Sequence, residues 1–444
     1  MTVTTPPRAL PVLGPNRPLA LPTTVEHTLD NGLTVIALRR SSVPLVEVRL
    51  RIPFAQANLA RAALLTQTVL SGTSTMSTVD IAAELQKVGG GLSAGADPDR
   101  LLISGNALVG GLDRLLDLLA EVLTDAAYPG EEVETERARL VDRIRVAQSQ
   151  PSHLARVALL KRMYDAHPYA VQTPSPEQVE AVGPDALRAL HGERLHPAGA
   201  TLVIVGDLEP EQAVAAAQRM LGKWNGGGVT AELPPAPALE PGPLTLVDRP
   251  DSVQSSLRVA LPAVSRRHPD HAALQLANLV FGGYFSSRWV ENIREDKGYT
   301  YGPHSLVEHA VAGSALVLSA EVATEVTAPA LLETLYELGR IASLPPKDEE
   351  LEQARQYALG TLQLGMSTQA GLAGLVSTYA GFGLRLDFLA EHAQRLARAS
   401  KEEVAAVAAK YLAPSRAAAV VLGDAAKVES SLAGLLPVVR AEGS

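Results

Sequence analysis

The sequence predicts an α+β protein of two homologous α/β-sandwich halves, each a mostly antiparallel sheet covered by helices, joined by a Pro-rich linker. At 444 residues the chain exceeds what one hydrophobic core organises. Near its middle, GGGVTAELPPAPALEPGPL (226–244) is too rich in Gly and Pro for regular structure. On either side the same order of elements recurs, closing on TLVIVGD in the first half and AAAVVLGD in the second. In both, a proline (Pro197, Pro414) stands the same distance before a Gly-Asp pair (Gly206-Asp207, Gly423-Asp424), and so long a shared order indicates a duplicated domain. The expected divisions are an arm at 1–22, an N-terminal domain at 23–225, the linker at 226–243 and a C-terminal domain at 244–437.

The arm, MTVTTPPRALPVLGPNRPLALP, is Pro-rich without a continuous apolar core, so it is expected to be flexible and not a signal peptide. VEHTL and LTVIALRR then flank Asp30-Asn31-Gly32, residues that suit positive φ, and form a hairpin. VPLVEVRLRIP alternates as a strand, with Val46, Val48, Leu50 and Ile52 opposite Leu45, Glu47, Arg49 and Arg51. Helical periodicity occupies 57–71 and 77–88, strands are expected near 91–97 and 100–108, and a helical series runs from 109 to about 195. TLVIVGDL (201–208) is a buried strand, and EPEQAVAAAQRML an amphipathic helix. In the second half, strands at 244–249 and 253–261 precede helices at 268–281 and 286–297. Strands at 299–309 and 313–321 precede helices to about 410, and AAAVVLGD (417–424) ends the repeat.

Hydrophobic residues make up 46% of the chain and charged residues 20%, a globular balance. A net charge of −9 argues against a nucleic-acid scaffold, and the absence of cysteine excludes disulfides and thiolate chemistry. No uninterrupted apolar run reaches the roughly 18 residues of a membrane helix, so a cytoplasmic protein with no membrane partner is expected. GLSAG (91–95) matches a nucleophile-elbow pattern, but a helix precedes it and a strand pair follows, the reverse of what an elbow needs. Gly89-Gly90-Gly91 has no Lys-Ser/Thr behind it to cradle phosphate, and reads as a tight turn from helix to strand. His268 and His271 flank Pro269-Asp270 at a helix start, where capping accounts for them. His304 and His309 have opposite strand parity and point to different faces, so neither pair makes a metal-ligand set.

The run FGGYFSSRWVENIREDKGYTYGPHS (281–305) is the most informative segment. Ser286 suits a helix N-cap and Gly298 a helix end, which places Arg294 in the last turn and Tyr301 in the entering strand. Their polar tips can then converge on one spot. Spacing alone favours a plainer account, in which Arg294 pairs with Glu291 or Glu295 and Tyr301 fills a half-buried strand position.

The strings GG-x-FSSR, IREDKGYTYG, LVDRPDSVQSSLRVALP (246–262), HPY (167–169) and VGDL (205–208) together resemble the pitrilysin/insulinase family of zinc metallopeptidases, in its mitochondrial processing peptidase-like branch. The likeness runs from about residue 23 to 435. It implies that Arg294 and Tyr301 hold substrate, with Tyr299 a neighbouring substrate-binding candidate. It also implies a zinc motif, H-x-x-E-H, in the helix RAALLTQTVLSGT (61–73). Aligned on Gly72-Thr73, the two histidine positions hold Ala63 and Gln67, the glutamate position holds Thr66, and the third ligand falls on Arg143. Alanine cannot coordinate, threonine is no base at neutral pH, glutamine is a poor zinc ligand, and a cation repels the metal. The resemblance therefore implies the metal-free subunit of a heterodimeric zinc endopeptidase for peptide or precursor processing, inactive alone. Zinc is expected in a homologous H-x-x-E-H partner, and no cofactor in this chain. A longer glycine-rich loop handles substrate in the metal-free subunit of that branch, so substrate contact stands beside the tight turn for Gly89, Gly90 and Gly91. A structural or peptide-sequestering protein of the same fold is the alternative, and intact Arg294 and Tyr301 weigh against it.

Overall fold

The computed structural model describes residues 19–228 and 231–441. In the first half β1 (Thr24–Thr28) and β2 (Thr34–Arg39) form the expected hairpin, with Gly32 at φ +88 in its turn. With β3 (Leu45–Pro53), β4 (Gly91–Ala96), β5 (Arg100–Leu108) and β6 (Thr201–Gly206) they make a six-stranded sheet ordered β1-β2-β6-β3-β5-β4. Its helices are α1 (Leu59–Thr68), α2 (Thr78–Lys87), α3 (Leu112–Asp125), α4 (Gly130–Ser149), α5 (Pro151–Tyr164), α6 (Pro176–Glu180), α7 (Pro184–Arg194) and α8 (Pro210–Leu221).

The second half holds β7 (Leu244–Asp248), β8 (Gln254–Pro262), β9 (His304–Ala310), β10 (Gly313–Ala323), β11 (Ala418–Gly423) and β12 (Val438–Arg440), ordered β12-β7-β11-β8-β10-β9. Around them lie α9 (His271–Asn278), α10 (Arg288–Val290), α11 (Thr327–Ser343), α12 (Asp348–Gly365), α13 (Gln369–Gly381), α14 (Asp387–Arg398), α15 (Lys401–Tyr411) and α16 (Ala425–Ala433). The duplication is explicit in the strand order, because β2-β6-β3-β5-β4 corresponds strand for strand to β7-β11-β8-β10-β9. Both sheets are mixed, with β2–β6, β7–β11 and β7–β12 parallel and the other pairs antiparallel. The halves differ at one margin, where β1 arrives by a hairpin and β12 from the C-terminal end.

Each sheet covers one face with helices of its own half and the other with a helix of the opposite half. Val46, Val48, Leu50 and Ile52 join Leu64, Leu65, Leu115 and Leu119 in the N-terminal core. On the reverse face, α13 lays Leu372, Ala373 and Val376 over Leu38, Val203 and Val205. Reciprocally, α5 lays Ala155, Leu159 and Met163 over Ala260, Val317, Val420 and Leu422. The polar side of β3 thus meets protein instead of water. Glu47 and Arg49 pair there at 2.9 Å, and Arg51 reaches the Gly381 carbonyl at 3.5 Å.

A polar joint ties the two sheets at their turns. Tyr169 donates to Asp99 Oδ1 (2.5 Å) and accepts from the Ala312 amide (3.0 Å), while the Val311 amide donates to Asp99 Oδ2 (3.0 Å). Burial, reinforced by the Asp99 carboxylate, holds the Tyr169 phenol well above its usual range, so it stays protonated and donating. Most of the expected arm lies outside the described residues, and at its end Leu19 and Leu21 pack against the α13 cluster. No helix among the described residues is long and apolar enough to cross a membrane.

Candidate functional site

The helix face expected to align with the metal motif is filled by other chemistry. Asn58 starts α1 by accepting from the Arg61 amide at 3.0 Å. Ala63, Thr66 and Gln67 follow at i, i+3 and i+4, on one face. Thr66 donates to the Ala63 carbonyl (2.8 Å) and accepts from the Gln67 side-chain Nε2 (3.3 Å). From α4, Arg143 donates to Gln67 Oε1 at 2.9 Å. The residues aligned with the ligand set therefore do converge, but as hydrogen-bonding partners around a guanidinium. This donor set does not fit zinc, and among the described residues no group of three or more His, Asp or Glu could hold a metal.

Beside α1 runs β4, the margin strand of the first sheet. The glycines before it have backbone reasons. Gly89 sits at φ +61, and the amides of Gly89 and Gly90 close α2 on the carbonyls of Gln86 and Leu85. A Cβ on Gly90 would lie 2.2 Å from the Asn106 carbonyl oxygen. Gly91 opens the strand, with only Asn106 Oδ1 nearby at 3.9 Å. Ser93 lies in mid-strand, as the rejection of the elbow requires.

The Arg294 segment differs from expectation in three details. The helix expected over 286–297 is α-helical only through Val290 and continues as a π-helical turn, Glu291–Asp296. Its N-cap position is Ser287, not Ser286, and the Ser287 hydroxyl donates to the Tyr284 carbonyl (2.6 Å) instead of accepting from the helix. The strand expected from 299 begins at His304, because Pro303 has no amide hydrogen for the ladder, so Tyr301 stands in the bend before it. Gly298, at φ +65, does end the helix, its amide on the Arg294 carbonyl and that of Tyr299 on Ile293.

Arg294 and Tyr301 nevertheless come together, with a third residue that sequence reasoning missed. The Arg294 guanidinium carbon lies 4.0 Å from the Phe285 ring centre and 5.3 Å from that of Tyr301. Glu295 is its ion-pair partner at 3.3 Å. Tyr301 is 87% exposed and Phe285 60%, so Tyr301 does not fill the half-buried strand position of the plainer account. Tyr299 turns the other way and packs against the C-terminal core. The cluster stands on a rigid base. Arg288 grips Glu350 with two bonds (2.8 and 2.6 Å), and buried Trp289 stacks on Phe281 and donates to Thr334 (3.0 Å). The signal for Phe285 was its place in GGYFSSR, an aromatic among small residues where no core stripe requires one.

The capping account of His268 and His271 fails at one point. Asp270 occupies the N-cap of α9 but makes no side-chain cap bond, and binds Lys410 (2.9 Å) and Tyr411 (2.8 Å) instead. The two histidine pairs, read separately in the sequence, also meet in space, since His271 Nε2 lies 3.2 Å from His309 Nε2.

Comparison with known proteins agrees with this architecture. Residues 57–177 match the insulinase family, peptidase family M16, and residues 181–357 match the peptidase M16 inactive domain. An uncharacterized zinc protease of Mycobacterium bovis is 26% identical over 430 residues, 93% of this chain and 96% of its own. An uncharacterized zinc protease of Bacillus subtilis is 22% identical over 67% of this chain and 72% of its own. A peptidase M16 inactive domain from Pseudomonas fluorescens superposes with a TM-score of 0.84 at 23% identity, over 90% of this chain and 98% of that one. A protease from Helicobacter pylori gives 0.84 at 16% identity, over 91% and 100%. These structural likenesses carry the fold.

Proposed function

The chain belongs to the M16, pitrilysin/insulinase-type peptidase family, and from that premise we propose that it is the metal-free subunit of a heterodimeric zinc endopeptidase. One observation carries the reading. The face aligned with the metal ligands is Ala63, Thr66 and Gln67 met by Arg143, whereas half-buried Arg294 and exposed Tyr301 stand together on a rigid base. A chain that has lost the first and kept the second suits a shared active site, completed by a homologous H-x-x-E-H subunit.

In this reading Arg294 and Tyr301 donate hydrogen bonds to the scissile carbonyl or its neighbour on a bound peptide. Phe285 fixes the guanidinium on one side without competing for its N–H groups, since a ring face accepts charge and not a specific lone pair. Two donors aimed at a developing oxyanion lower a barrier by several kcal/mol where water is excluded. A sheet margin holds the peptide by main-chain pairing, which gives affinity with little side-chain selectivity. Zinc, the activated water and the general base belong to the partner.

The test is turnover by the two-chain complex. Arg294→Ala and Tyr301→Phe should each lower activity by about 10²-fold or more while the complex still assembles. Unchanged turnover in either variant would make that side chain structural.

A further inference from the structure

The C-terminal half contains a cavity of about 430 Å³ between α9, β9, α12 and α14 that the reading above leaves unused. Three histidines from three elements wall it: His271 opens α9, His309 stands on β9 and His392 on α14. The His271 ring centre is 5.0 Å from that of His309 and 4.8 Å from that of His392. His309 Nδ1 meets Ser314 Oγ at 2.8 Å, and His392 Nε2 meets Gln275 Oε1 at 2.8 Å. His271 is 4% exposed, yet its Nδ1 has no partner.

Arg266 reaches the same cavity. Its guanidinium lies over Tyr379 (5.2 Å) and Phe382 (5.5 Å), its Nε is buried without a partner, and it forms no ion pair among the described residues. Among the described residues no carboxylate lines the cavity. The other charge acting on His271 and His392 is Arg395, also positive and held by Glu391 at 3.4 Å. A desolvated cation beside three imidazoles, with no anion to balance it, is costly for a fold to retain. The chain leads from the cavity to the Arg294 cluster. Gly283 lines it two residues before Phe285, and Tyr357 on its wall stacks on Tyr284, the residue next to Phe285, at 5.1 Å.

We propose that this cavity receives a carboxylate, the side chain of a Glu or Asp in the peptide bound at the Arg294 cluster, with Arg266 as the fixed cation and the histidines as further donors. The assignment rests on the subunit reading. Without a ligand, burial first and the neighbouring positive groups second push His271 down to about 2, His309 to about 3 and His392 to about 4. An anion reverses that balance by favouring imidazolium, so binding draws protons from solution and tightens as pH falls from 7.5 to 6.0.

Calorimetric titration of the purified chain tests this, using an N-acetylated, C-amidated alanine peptide with one central Glu and its Gln twin. At pH 6.0 the Glu peptide should bind about tenfold tighter, as a charged hydrogen-bond acceptor does over a neutral one, and the margin should narrow at pH 7.5. Arg266→Gln should erase the preference. Titration of the unaltered chain in two buffers of different ionisation enthalpy should count a net proton uptake, which guards against a variant that fails to fold. Equal affinity for the two peptides, no proton uptake, or a preference that survives Arg266→Gln overturns the proposal. So does Arg266-dependent binding of free glutarate with no peptide preference. Loss of the Glu preference with Arg294-dependent cleavage intact sinks only the cavity assignment, whereas Glu selectivity without cleavage by the two-chain mixture sinks only the subunit reading.

Discussion

Arg294 and Arg143 show how one residue type serves opposite ends. Arg294, half-buried, is set against two ring faces and one flanking carboxylate, which leaves N–H groups for a ligand. Arg143 is turned onto Gln67, where a metal would need a carboxylate. Substituting Ala63→His, Thr66→Glu and Gln67→His together should therefore still yield a chain without stoichiometric zinc, because the guanidinium remains beside the new ligands. Adding Arg143→Glu should allow binding. Metal analysis of the purified variants checks this, and stoichiometric zinc in the triple variant would contradict the role given to Arg143. That Ala63, Thr66 and Gln67 lie together was legible in the sequence, because a helix fixes which residues share a face. Phe285 and the histidine trio were not, because residues 271, 309 and 392 meet only through the packing of a helix, a strand and a second helix.

At the level of elements, the alternation of β3 and the turn chemistry of Asp30–Gly32 placed strands with their inner faces correctly. That alternation could not say what covers the second face, since Glu47, Arg49 and Arg51 read as solvent-facing until α13 is seen to lie over them. The late start of β9 turns on Pro303, and β12 escaped because a three-residue strand leaves no period to detect. The joint at Tyr169 was visible only as the family string HPY. Tyr169→Phe removes a hydroxyl that serves Asp99 and the Ala312 amide at once, and should lower stability by about 1–3 kcal/mol. A urea-unfolding midpoint equal to that of the unaltered chain would show that the joint contributes nothing.

On the scale of the whole molecule, the exchange of α5 and α13 makes the two halves one unit, since neither sheet can cover its second face alone. The two sheets have corresponding margin strands, β4 beside α1 and β9 following the Arg294 bend. Under the proposed function, this chain binds and polarises the peptide while a second chain activates the water. The proposed activity therefore belongs to two chains, and is tested by cleavage of a quenched peptide library by this chain alone, by the proposed H-x-x-E-H homologue alone, and by the mixture. Turnover confined to the mixture is the predicted result. Equal turnover by the homologue alone would contradict the account and leave this chain without a part in the chemistry.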